Sequence, residues 1–367
     1  MKYLFPLLIG LSLALTACQP PQPPATLCLL VGTYTDAGSQ GIYSYRFNPQ
    51  DGSSTLLDSL QMVNPSFLLP APGHPQRFYA VSETPDSTAV LCLLSLAPST
   101  GQMSLLHRQA TLGADPCQIA AWGGLVTTAN YSGGSLTCFH TDTDGQVLLR
   151  DTLYLGQTGG NDPLRQATPH LHGALFTADG RHLFATDFSA DRILHCDLLP
   201  TGIQAPHTAI QLEAGTGPRH LCFSSDERFL YVIGELSGKI SVMHHTDGHL
   251  EEIQTLLADT LGARGSADIH LSPDGRHLYA SHRLQGEGLS IYKVHPTEGT
   301  LMRIGYQPTG RHPRHFGLTP DGSLLLVACR DSHVIEVYRR HPESGLLTHC
   351  GPDISLSKPV CVQFVKP

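Results

Sequence analysis

The chain has 367 residues, 41% of them hydrophobic, which is enough to bury a large core and excludes a disordered protein. Its formal net charge is −8 and no stretch concentrates Lys and Arg, which excludes nucleic-acid binding by phosphate neutralisation. Gly 36 and Pro 27 supply the turns that many short strands need.

The first element is a targeting segment. Lys2 precedes an apolar run from Leu4 to Leu15, and Leu15-Thr16-Ala17-Cys18 follows. This pattern predicts a bacterial lipoprotein signal over residues 1–18, with Cys18 as the lipid attachment site; an ordinary cleaved signal is the alternative. The run is too short for a comfortable membrane span. Gln19-Pro20-Pro21-Gln22-Pro23-Pro24 reads as a stiff tether over residues 19–26. The expected location is the cell envelope, with a domain of residues 27–367 held at a membrane surface through its lipid.

From there a six-residue strand recurs: LLVGTY at 29–34, FYAVSE at 78–83, LVTTAN at 125–130, LFATDF at 183–188, LYVIGE at 230–235, LYASHR at 278–283 and LLVACR at 325–330. The start-to-start spacings are 49, 47, 58, 47, 48 and 47. Each later copy follows a short strand and a turn, as in Leu271-Ser272-Pro273-Asp274-Gly275-Arg276, where Pro presets φ and Gly accepts a positive one. A third strand, such as Ile240-Ser241-Val242-Met243, and a fourth around Gly248-His249-Leu250 complete the unit. Four antiparallel strands in about 47 residues are one propeller blade. The predicted fold is all-β, a seven-bladed β-propeller of four-stranded antiparallel blades. The first copy has no preceding strand. Pro359-Val360-Cys361-Val362-Gln363-Phe364 resembles the blade-opening Pro116-Cys117-Gln118-Ile119-Ala120-Ala121, so the C-terminal strand is expected to join the first blade and close the ring.

Apart from Cys18, nine cysteines are scattered through apolar runs with no C-x-x-C pair, and they read as small buried hydrophobes.

The last positions of the recurring strand are Tyr34, Glu83, Asn130, Phe188, Glu235, Arg283 and Arg330. Equivalent positions in a ring share one face, so these residues outline a ligand site or, equally, a set of solvated strand ends. The blade-opening segments Pro169-His170-Leu171-His172, Gly217-Pro218-Arg219-His220 and Pro313-Arg314-His315 add basic groups. The 58-residue spacing marks an insertion of about ten residues before the His pair, covering Gly156 to Pro163 and Arg165-Gln166. His170 and His172 alternate and should project to one face. H-x-H can bind metal, but no third ligand with suitable spacing is evident.

These segments resemble the bacterial lactonase family with a seven-bladed propeller, which includes 6-phosphogluconolactonase and the related fungal carboxymuconate cyclase. The resemblance covers about residues 27–366 and rests on Val31-Gly32-Thr33-Tyr34-Thr35, Asn64-Pro65-Ser66, Asn130-Tyr131-Ser132-Gly133-Gly134-Ser135, Arg165-Gln166, the three blade-opening segments, Glu235-Leu236 and Ser281-His282-Arg283. It implies an enzyme of carbohydrate metabolism acting on a sugar lactone, as at the lactone step of the pentose phosphate pathway. It implies one His of the His170/His172 pair, His172 preferred, with Arg219, Glu235 and Arg283 as catalytic groups; the strand-end ring and blade openings add His170, Asn130, His220, Arg314, Arg330, Glu83 and Tyr34 around the substrate. His282 and Gly234 depart from the family, which usually has Asn at both, and an altered substrate fit is the expected consequence.

Lactone hydrolysis needs an activated water and donors for the oxyanion. Glu235 or His172 is the candidate base; Arg219 and Arg283 are candidate holders of the oxyanion or of a substrate phosphate or carboxylate. No G-x-S-x-G elbow occurs in the sequence, so water rather than serine is the expected nucleophile, without cofactor or essential metal. The chain is expected to act as a monomer. Two other readings remain open: a non-catalytic envelope propeller that binds glycan or protein, and a muconate-type cyclising lyase.

Overall fold

The computed structural model describes residues 26–365 apart from positions 98, 145, 200 and 201. The signal segment, Cys18 and the tether through residue 25 lie outside the described residues.

Seven antiparallel sheets follow one another along the chain. In five of the seven blades four strands suffice; the sheets holding Leu171–Phe176 and Pro313–Leu318 carry a fifth short piece at the outer edge. The recurring strand is the second from the axis in every sheet, and the strand preceding it is the innermost. In the first blade the innermost strand is Pro359–Val365, which pairs with Leu27–Thr33 in antiparallel register, Val31 opposite Val362. The ring closes as expected.

The second strands are buried at nearly every position, and packing explains why. Side chains alternate faces along a strand, yet both faces of an inner strand are covered by neighbouring blades. In the first blade Leu30 packs toward Phe78 and Ala80 of the second blade, while Leu29 and Val31 pack toward Leu324 and Leu326 of the seventh. A fully buried Leu of this kind contributes roughly 1.5–3 kcal/mol relative to exposure. All nine cysteines among the described residues are free thiols, seven of them buried.

Candidate active site

Two local devices aim side chains at the axis. The first is the residue just past each second strand. Its N–H donates to a carbonyl of the segment entering the inner strand: Glu83 to Asn64, Tyr131 to Asp115, Phe188 to His170, Glu235 to Gly217, Arg283 to Gly265, Arg330 to His312 and Tyr34 to Lys358. The third-blade member is Tyr131, whereas Asn130 is still inside its strand. A slip of one residue reverses the face. Asn130 is fully buried, its amide donating to Ser135 Oγ at 3.0 Å and Thr137 Oγ1 at 2.9 Å.

The second device is a β-bulge at the start of the inner strands. Opposite the pair Gly234–Ile233 stand Pro218 and His220, which leaves Arg219 as the extra residue. The same offset leaves His172 extra between Leu171 and Gly173, Arg314 between Pro313 and His315, and Cys117 between Pro116 and Gln118. A bulge turns one side chain out of the regular alternation. All four of these residues line one cavity of about 280 Å³, together with Glu83, Tyr131, Arg165, Glu235, Arg283, Leu284 and His312.

Glu235 is the hub of that cavity. Arg165 Nη2 donates to its Oε1 at 2.8 Å, and Arg283 Nη2 lies 3.2 Å from Oε2. Arg219 Nε is 2.9 Å from the same Oε2, in ion-pair contact but off hydrogen-bonding alignment. Burial alone would raise the carboxyl pKa; the charges of Arg283, Arg219 and Arg165 outweigh it and hold it at about 2. Both oxygens are therefore committed, and the group stays ionised at any working pH. Arg219 is itself 1% exposed and donates through Nη1 to the Ala267 carbonyl. Burial opposes the charge on Arg219 and Arg283, and Glu235 offsets it.

Facing this cluster is His172. Burial, followed by the charges of Arg219, His220, Arg314 and Arg283, holds its pKa well below the ordinary imidazole value, so the ring is neutral. Its Nδ1 is 3.8 Å from Cys117 Sγ, and among the described residues Nε2 has no hydrogen-bond partner. The Cys117 thiol is pushed far up by burial, which excludes it as a nucleophile. Elsewhere on the wall, Tyr34 Oη donates to Glu83 Oε1 at 2.9 Å, Arg314 Nη2 lies 3.4 Å from Glu83 Oε2, and the Arg314 guanidinium sits 5.2 Å from the centre of the Tyr34 ring.

The family described as Lactonase, 7-bladed beta-propeller matches residues 28–364. The chain belongs to this lactonase family. A 6-phosphogluconolactonase of Formosa agariphila is 31% identical over 87% of this chain and 94% of its own length, and that of Bacillus subtilis is 29% identical over 91% and 97%. Among solved structures, the periplasmic gluconolactonase of Pseudomonas aeruginosa superposes with a TM-score of 0.88 at 30% identity, covering 93% of this chain and 99% of the other. A Bacteroides uniformis structure reaches 0.90 at 51% identity, with the same coverage.

The lactonase propeller thus brings together His172, Arg219, Glu235, Arg283, Arg314 and Glu83 on the cavity wall, with Tyr34 bound behind Glu83. Other expected residues fall outside the wall. His170 stacks on Tyr131 with ring centroids 4.2 Å apart and faces the Tyr131 carbonyl through Nδ1. The His pair does not share one outlook: Tyr131 stands between the rings, with His172 meeting it edge-on. His220 turns to Asp268, 2.8 Å from Nδ1, in a smaller cavity deeper along the channel. Arg330 binds the Asp331 carboxylate and touches His312. His282 and Gly234 occupy the same register as Asn130, so neither lines the cavity. His282 does the work of an amide there, its two ring nitrogens each 2.8 Å from a hydroxyl, Ser266 and Ser290. The two departures thus lie behind the wall, beside Glu235 and Arg283, rather than in it.

Sequence reasoning missed Tyr131, His312 and Arg165 as wall residues. The insertion did mark Arg165. Asp162 Oδ1 accepts from the N–H groups of Leu164 and Arg165, and Gln166 Nε2 donates to the Phe188 carbonyl at 2.9 Å and to Asp191 at 2.7 Å. That framework holds Arg165 over Phe188 and against Tyr131 Oη.

Proposed function

We propose that this chain is an envelope enzyme that hydrolyses a sugar lactone by attack of water on the ring carbonyl. The observation that carries the reading is a neutral, buried His172 facing fixed guanidiniums across one cavity in a lactonase-family propeller. His172 Nε2 takes a proton as the water oxygen bonds to the carbonyl carbon. The carbonyl oxygen becomes an oxyanion beside Arg219 and Arg283, whose positions are set beforehand by Glu235. Collapse breaks the ring C–O bond, the imidazolium returns its proton to the departing oxygen, and a hydroxy acid leaves. Glu235 acts here as the anchor of the arginines and His172 as the base.

Four arginines against two glutamates give the wall an excess of positive charge, which suits a substrate phosphate or the product carboxylate and disfavours a cation at the reaction centre. The substrate class is therefore glucono-1,5-lactone or its 6-phosphate, the class named for the relatives. The lipoprotein-type segment motivates the anchor; Cys18→Ala should abolish incorporation of labelled palmitate and release the protein from the membrane fraction.

The test is a pH-stat assay of residues 19–367 with gluconolactone and with its 6-phosphate, spontaneous hydrolysis subtracted. Acceleration of either, retained after dialysis against EDTA, is expected. No acceleration of both lactones would replace this reading by the binding or lyase alternatives.

A further inference from the structure

At the opposite end of the fourth blade's second strand from the cavity, a second cluster of titratable groups lies outside everything described so far. His182 opens that strand; His195 and Asp197 stand on the next strand, Arg192–Leu199. His182 Nδ1, His195 Nε2 and Asp197 Oδ1 point at one another. Their separations are 2.9 Å between the two nitrogens, 3.1 Å from His182 to Asp197 and 3.5 Å from His195 to Asp197. Donors bound at about 2.0–2.1 Å to one tetrahedral ion are about 3.3 Å apart, so the triangle brackets that value.

The outer contacts have the form that holds metal-bound imidazoles. His182 turns its other nitrogen, Nε2, to Asp247 Oδ1 at 3.4 Å, and Arg181 Nη1 lies 2.7 Å from the same oxygen. His195 turns Nδ1 to His207 Nε2 at 3.2 Å. A carboxylate or other acceptor on the distal nitrogen orients the ring and leaves the proximal one for a metal. Gly248 keeps the space before the two proximal nitrogens open: a Cβ there would stand 2.9 Å from His195 Nε2 and 3.0 Å from His182 Nδ1. Both rings are buried, while the Asp197 side chain is 41% exposed, which leaves a route for solvent as a fourth ligand.

Hydrogen bonding alone satisfies the cluster only if His182 carries both ring protons. If His182 Nδ1 donates, it can serve Asp197 and His195 together, but Nε2 then needs a second proton to meet Asp247. If His195 Nε2 donates to His182 Nδ1, that nitrogen is left lone pair to lone pair with Asp197. A cation removes the conflict. By contrast, the channel carboxylate Asp268 receives His220, His270 and the N–H groups of Ile269 and Phe316, which fills its acceptor positions.

We propose that His182, His195 and Asp197 bind a divalent transition-metal ion of the zinc class, which ties the middle strands of the fourth blade to one another. Two imidazoles and a carboxylate select such an ion over the oxygen-seeking Mg²⁺ and Ca²⁺. The site is independent of lactone hydrolysis. Its role is structural, and the Asp247 contact extends it to the hairpin turn of the fifth blade.

Equilibrium dialysis of the tag-free protein against buffered Zn²⁺, followed by metal analysis, tests this. One ion per chain is expected in the parent and in His270→Ala. Loss of a ligand in His195→Ala should weaken binding by more than the ten- to about hundredfold cost of an outer-shell partner. Asp197 is the more exposed ligand, so Asp197→Ala covers the case in which His195→Ala fails to fold. Co²⁺ should give the visible bands of a tetrahedral centre in the parent and not in these variants, and Zn²⁺ should raise the melting temperature of the parent alone. A parent that binds no stoichiometric ion, binding that survives Asp197→Ala unchanged, or loss in His270→Ala instead would overturn the proposal; the first result would leave a shared proton in the cluster.

Discussion

At the scale of single residues, the decisive group is Glu235. A carboxylate held at about 2 by three guanidiniums is a weak proton acceptor, so its removal should be felt first as instability. Glu235→Gln leaves buried cations uncompensated and is expected to cost about 3–5 kcal/mol by chemical denaturation. A melting curve equal to the parent's, with only kcat reduced, would return the role of base to Glu235. His172→Gln should do the reverse. Its kcat is expected to fall about 10²–10⁴-fold with little loss of stability, and the parent's kcat/KM should be flat from pH 6 to 8, because His172 titrates well below that range. Motif and resemblance pointed to His172, Arg219, Glu235 and Arg283 in the sequence, all of which reach the wall. What could not be read was direction: Asn130 and Tyr131 are neighbours in the chain, and only the strand's end decides which one faces the axis.

At the scale of elements, the inner-strand bulge does most to build the cavity, and no residue type announces it. Arg219, His172, Arg314 and Cys117 are three different residue types; what all four share is an unpaired position in the ladder. The repeat period was visible because both faces of the second strand are buried and its core positions are apolar in every blade. The bulge was not, because it adds a residue without changing the pattern. The bulges of neighbouring blades also touch. A Cβ on Gly173 would stand 2.7 Å from the Arg219 carbonyl and 3.3 Å from Thr186 Oγ1. Gly173→Ala should therefore push the fourth and fifth inner strands apart, destabilising by roughly 1–3 kcal/mol and lowering kcat, although the residue touches no substrate. Denaturation and assay of that one variant, with unchanged values in both, would show that the strands can part without cost.

The whole molecule carries a pH dependence that follows from its histidines. Burial first, with nearby charges, holds His195, His220 and His282 at about 4 and His315 at about 3, and takes His172 well down. His270 is raised instead, because the Asp268 carboxylate outweighs its burial. An unfolded His titrates near 6.5, so between about 6.5 and 4 the unfolded chain binds more protons at the depressed sites. Stability is then complete above that window and is lost as the pH falls through it, by up to about 1.4 kcal/mol per pH unit for each fully depressed His. Calorimetry should find the melting temperature falling between pH 7 and pH 5, before most carboxylates titrate. A flat profile over that interval would contradict the burial of neutral imidazoles.

The pairing of Leu27–Thr33 with Pro359–Val365 also sets an order of events. The strand of residues 27–33 has to wait for residues 359–365 before its inner edge is paired. While the chain is being synthesised or exported, every intermediate length has an open first blade, with the edge of residues 27–33 unpaired. A chain cut short by nine residues, lacking 359–367, keeps that edge permanently, and should melt earlier and associate edge to edge. The closing strand thus makes the first blade conditional on the last: until residues 359–365 are in place, the inner edge of residues 27–33 stays open to proteases, chaperones or other copies of the chain.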